Sequence, residues 1–177
     1  MSARSRHLVR KITLAAMLGF FVLGSLFAGG YAMEDPGGTA GLLAIAQWVV
    51  PTLAVSWLAW KRPTWALPVL VLTTAGVAVT ALLEARDPMA WQEAWDQNGP
   101  VLAISGFGVS VALAVYGYRQ RARLTGAMLL VSCGVPLLAG VIMGTQEGPL
   151  IGGSTSAGVL PGLVAGLIYL VTGDDQV

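Results

Sequence analysis

Residues 40–60, AGLLAIAQWVVPTLAVSWLAW, decide the fold. They run for 21 positions without a charge and close on Lys61-Arg62-Pro63. A hydrocarbon layer about 30 Å thick is crossed by about 20 helical residues, which matches this run. Inside hydrocarbon the backbone must bond to itself, so such a segment is a helix. The apolar and polar positions do not alternate, which excludes the strand pattern of an outer-membrane barrel.

Five further apolar runs lie on either side of it, at residues 12–33, 65–83, 100–118, 124–144 and within 149–172. The whole chain of 177 residues is 55% hydrophobic and 11% charged, with a mean hydropathy of +0.72. A soluble domain is nearer to about 25% charged, so the composition is that of a polytopic membrane protein. The expected fold is therefore all-α, an integral membrane bundle of six transmembrane helices. Residues 1–11 form a basic tail, 12–172 a single bundle with an outer loop at 85–98, and 173–177 a second tail.

Charge placement gives the orientation. Nine of the ten Lys and Arg residues lie in the N-terminal tail, at 61–62, or at 119–123. Even numbers of crossings separate these places, so all three can be cytoplasmic at once, together with both termini. Arg86 is the exception, in the loop that carries Glu84, Asp87, Glu93 and Asp96. The first run also has the basic start and small residues (Gly30, Ala32) of a signal peptide, and cleavage would leave five helices. Its apolar stretch is long for a signal peptide, so an uncleaved anchor is expected. Arg outnumbers Lys eight to two amid abundant Ala, Gly, Val and Leu, which suggests a GC-rich bacterium and its plasma (inner) membrane.

The composition excludes several functions. A net charge of +1 gives no reason to expect nucleic acid as a partner. One Cys and one His exclude a disulfide framework and a paired-histidine metal or haem site. His7 lies in the tail and Cys133 in the fifth run, so no nucleophile–histidine pair is expected. No charge lies within a predicted span, which removes the usual proton relay or ion-coupling site. No cofactor, metal or catalytic residue is expected, and the protein is read as a non-enzyme.

What remains are packing and contact features. Small residues recur every fourth position at Ser154, Gly158, Gly162 and Gly166, with a shorter series at Gly140 and Gly144 and another at Gly106, Ser110 and Ala114. Such ridges bring helix backbones close, either within the bundle or between copies of the chain. Pro161 interrupts the longest ridge and should bend it. Acid or amide residues beside Pro and Gly at 34–37, 97–100 and 146–149 read as helix-starting corners. In the outer loop, Met89, Trp91 and Trp95 group on one side of a short helix beginning at Asp87-Pro88. That helix either rests on headgroups or docks a partner. Thr52 and Ser110 are intramembrane hydroxyls that a solute pathway would use. A shift of 58 residues superposes the second hairpin on the third, pairing Thr52 with Ser110, Trp60 with Tyr118 and Lys61 with Arg119; chance similarity of two basic-ended hairpins explains this as well.

The segments Trp48-Val49-Val50-Pro51-Thr52 and Trp57-Leu58-Ala59-Trp60-Lys61-Arg62-Pro63, with the later Gly99-Pro100, resemble a pattern in a family of small bacterial multi-helix membrane proteins. In that family an Ile-Pro-Thr-like helix ends in Ala-Trp-Lys/Arg. It has no assigned activity, so the resemblance implies a fold and no site residue. The expected function is an accessory or interaction subunit that organises another membrane component, with the lipid bilayer and a membrane-protein partner or a second copy as its contacts. The alternative is a passive channel or facilitator for a small neutral solute.

Overall fold

The computed structural model describes the backbone of residues 2–144 and 153–173, with side chains for all of these except 3, 36, 88–103, 140, 142–144 and 153–158. The described residues form six α-helices: α1 (Ala3–Ala32), α2 (Gly38–Lys61), α3 (Pro63–Arg86), α4 (Pro88–Arg119), α5 (Ala122–Gly144) and α6 (Gly153–Thr172). A wide π-type turn, Met33–Gly37, joins α1 to α2. Among the described residues, four stretches are long and apolar enough to cross a membrane: Arg4–Asp35, Gly38–Lys61, Pro63–Arg86 and Ala122–Ala139.

Helix starts differ from the sequence expectation in three places, each for a local reason. α1 begins at Ala3, so the basic segment expected as a tail is the first turns of the helix. The Ser2 hydroxyl caps it by accepting the Ser5 N–H at 3.2 Å. At 34–37 no acidic side chain caps α2. Instead Asp35 is extended, and Gly37 and Gly38 turn the chain at φ 69° and 57°, a region that disfavours a Cβ. The short helix expected to begin at Asp87-Pro88 continues without a break, and Gly99-Pro100, expected to start a helix, lies inside α4. Pro88 sits at the first helical position and the next eight residues favour helix. A proline further along bends a helix that neighbours support without ending it. The third expected corner, 146–149, lies outside the described residues. Pro63 at the start of α3 shows the proline-first pattern instead, preceded by a non-helical Arg62 (φ −137°, ψ 66°).

The helices are arranged as a ring around one. α4 packs against each of the other five, and the outer helices neighbour one another in the order α1, α2, α3, α5, α6 and back to α1. The described part of α4 is correspondingly buried, with Ile104, Phe107, Val111, Leu113 and Tyr116 in the core. The outward faces of the ring are apolar: Phe27 is 77% exposed, Leu72 72% and Val171 80%. Surface of that kind suits lipid and would be a liability in water.

α5 and α6 approach each other backbone to backbone. A Cβ on Gly126 would lie 2.7 Å from the Gly166 carbonyl oxygen, and one on Gly166 would lie 3.1 Å from that of Gly126. Backbone faces backbone there, so neither side can yield. Gly76, by contrast, has nothing within 4 Å of where its Cβ would stand. Gly126→Val should therefore destabilise the purified protein by about 1–3 kcal/mol. Gly76→Ala should be neutral or stabilise it by up to about 1 kcal/mol. Thermal unfolding in mild detergent measures both, and equal melting temperatures for the two variants would refute this account of the α5–α6 contact.

Candidate functional site

The middle of α2 carries the least ordinary surface. Leu43, Gln47, Val50, Pro51, Ala54 and Trp57 are all exposed and fall on one face at helical spacing. Gln47 places a primary amide near the centre of this apolar stripe. Pro51 stands four residues later and has no N–H to give the Gln47 carbonyl, so the main chain is under-satisfied at the same point. At the edge of the stripe a small open cleft of about 90 Å³ runs between α2, α3 and α4, with Gln47, Trp48, Thr52, Leu70, Thr73 and Ser105 among its lining residues. Trp48 is 1% exposed. Its indole N–H has no hydrogen-bond partner among the described residues, and neither do the hydroxyls of Ser56 and Thr74.

Thr52 borders this cleft, where a Cβ on Gly108 would collide with its hydroxyl. Ser110 belongs to a different contact. Its hydroxyl lies 3.3 Å from the Cys133 sulfur, and Cys133 is in turn 3.8 Å from the Ser132 hydroxyl. The structure therefore places the two expected pathway residues in separate interfaces, α2–α4 for Thr52 and α4–α5 for Ser110.

Gly162 brings α6 onto that second cluster. A Cβ there would strike the Cys133 sulfur and stand 3.4 Å from the Ser110 hydroxyl. Gly162 and Gly166 are thus used inside the bundle. Gly140, Gly144 and Gly158 lie outside the residues whose surroundings are described, as do the side chains of Met89, Trp91 and Trp95, whose backbone is part of α4. Close-contact glycines that the sequence does not single out include Gly108, Gly117 and Gly126. A Cβ on Gly117 would lie 2.7 Å from Thr125. Gly108-x-x-x-Ala112 and Ala122-x-x-x-Gly126 are small-residue pairs that could have flagged two of them. Tyr169 adds a polar tie, donating to the Ala114 carbonyl at 2.8 Å.

At the other end of these helices the basic segments come together. Arg10 on α1 donates to the Thr172 carbonyl and, at 3.3 Å, to its hydroxyl. A cation at the C-terminus of α6 also meets the negative end of that helix dipole. No three His, Cys, Asp or Glu side chains gather in a metal-holding group among the described residues. No protein-family model, curated protein or solved structure matches the chain.

The Gly162–Cys133 contact gives a reciprocal test. Gly162→Ala should lower stability, because the new methyl group meets a sulfur held by two packed helices. Cys133→Ala removes that sulfur, leaving 3.6 Å to the Cβ of residue 133. The double variant should recover at least half of the loss, a coupling of about 1–3 kcal/mol. Additive losses in a double-mutant cycle of melting temperatures would contradict the geometry.

Proposed function

We propose that the chain is a six-span protein of a bacterial inner membrane, with both termini cytoplasmic, that acts without enzymatic chemistry as an accessory subunit. Its α2 stripe docks on a transmembrane helix of another membrane protein. The observation that carries this reading is Gln47, exposed near the middle of an otherwise apolar helix face. An amide facing hydrocarbon lacks the partners that water would supply, whereas an amide facing a second helix hydrogen-bonds across the interface. Pro51 and Ala54 on the same stripe keep it low enough for close approach.

Two further observations support the reading. The basic ends of α1, α2 and α4 lie on one side of the bundle, as cytoplasmic ends do. The facilitator alternative has less support, because α4 occupies the centre that a central pathway would need and Thr52 and Ser110 lie in separate interfaces.

The test places a photo-crosslinking residue at Leu43 or Val50 on the α2 stripe and, as a reference, at Val171 on α6. A discrete protein adduct is expected from α2 and none from α6. Gln47→Leu should weaken it by about 3- to 30-fold, the worth of an interhelical hydrogen bond of about 0.6–2 kcal/mol. An adduct of twice the chain mass would make the partner a second copy. Lipid adducts alone, from α2 and α6 equally, would sink the proposal.

A further inference from the structure

The basic end holds an ordered stack that simple charge segregation does not require. His7 on α1 packs on Tyr118 of α4, with ring centroids 5.3 Å apart and Nε2 3.3 Å from the tyrosine hydroxyl. Tyr118 stacks in turn on Trp60 of α2, with centroids 6.3 Å apart and planes inclined by only 8°. The Arg119 guanidinium lies 4.5 Å from the Trp60 ring centroid. Three helix ends thus join through one column of rings that ends in a cation.

The column restrains Arg119. A guanidinium resting on an indole gains cation–π attraction and loses rotamer freedom in advance, while its in-plane N–H groups stay free to bind in a fork. That fork matches the oxygens of a phosphate. Lys61 and Arg62 follow Trp60 directly and are exposed, as are Arg119 and Arg121. Among the described side chains, every Asp and Glu lies toward the opposite ends of the helices: Glu34, Asp35, Glu84 and Asp87. Exposed indoles flank the cations, with Trp57 62% exposed, Trp60 40% and Trp65 70%. Indoles favour the boundary between headgroups and hydrocarbon. The cations therefore stand at headgroup level, next to surfaces that suit glycerol and the upper acyl chain.

We propose that Arg119, held on Trp60, forms with Lys61 and Arg62 a binding site for the phosphate of an anionic phospholipid in the leaflet at the basic end of the bundle. Charge complementarity selects an anionic over a zwitterionic headgroup, since a neighbouring choline would oppose the three cations. The indoles select a lipid over a soluble phosphate. The site lies beyond the α2 stripe around Gln47, sharing only the flanking Trp57 with it, and does not depend on a protein partner.

The test uses the full chain in mild detergent, with phosphatidylglycerol, phosphatidylcholine or inorganic phosphate added, and reads lipid retention by native mass spectrometry together with the rise in melting temperature. Phosphatidylglycerol should be retained about tenfold more strongly than phosphatidylcholine, as expected when charge-assisted hydrogen bonds are made. Arg119→Gln should abolish that preference. Arg119→Lys, which keeps the charge but not the planar fork, should lose most of it. Arg86→Gln, at the opposite end, should leave it intact, and an unchanged melting temperature in phosphatidylcholine shows that each variant is folded. Equal retention of the two lipids would overturn the proposal. So would equal effects of Arg119→Gln and Arg86→Gln, or full retention in Arg119→Lys. Competition by inorganic phosphate at concentrations comparable to the lipid would assign the site to a soluble anion instead.

Discussion

A helix ringed by five others must be thin enough for all five to approach it together. Helix axes in close contact stand about 8–10 Å apart, and a large side chain at each contact would push the ring open. The buried part of α4 meets this constraint by alternation. Gly108, Ser110, Ala112, Ala114 and Gly117 let neighbouring backbones in, while Phe107, Val111, Leu113 and Tyr116 fill the spaces between them. Lipid tails are as apolar as these side chains, so burial from water does not drive the association. Close packing and hydrogen bonding between helices do. Gly126 and Gly166 extend the same logic to the ring itself, where α5 and α6 touch backbone to backbone.

Polar side chains are placed to keep this packing dry. Thr13, Thr73, Thr125 and Thr172 each donate to a carbonyl one turn back on their own helix. Such hydroxyls are satisfied before any neighbour arrives, so they line helix contacts at little cost. Other side chains bond between helices. Tyr169 reaches the Ala114 carbonyl within the core, and Arg10 closes the α1–α6 seam at the basic end. The ring column of His7, Tyr118 and Trp60 fastens the same end.

The helical class of the fold was legible in the sequence, because runs such as 40–60 are long, uncharged and bounded by cations. Helix starts were less legible. Gly99-Pro100 resembles a corner, yet α4 runs through it, since a proline in a supported helix marks a bend as readily as an end. The ring order was not legible at all. It depends on which small residue meets which neighbour, and Gly126 differs from Gly76 only through a partner forty residues away in sequence. The ridge at Gly162 and Gly166 was visible, but its partner Cys133 was not. Gln47 was visible as one polar residue among several, and only its exposure separates it from Thr52 and Thr74, which are buried.

That separation bears on how the protein is used. A hydroxyl in a membrane helix can turn back on its own carbonyls and disappear from the interface, as those of Thr13, Thr73, Thr125 and Thr172 do. A glutamine amide carries two N–H donors and an acceptor oxygen, more than a neighbouring turn of helix supplies. Pro51 leaves the Gln47 carbonyl short of a donor as well, so two unmet demands coincide on one exposed stripe. Gln47 is left exposed, whereas Trp48 one position later is buried. With the centre filled by α4, the polar chemistry that could engage another molecule lies on the outside of the ring. On the proposed reading, the surfaces that engage other molecules are therefore its lateral faces and its basic end.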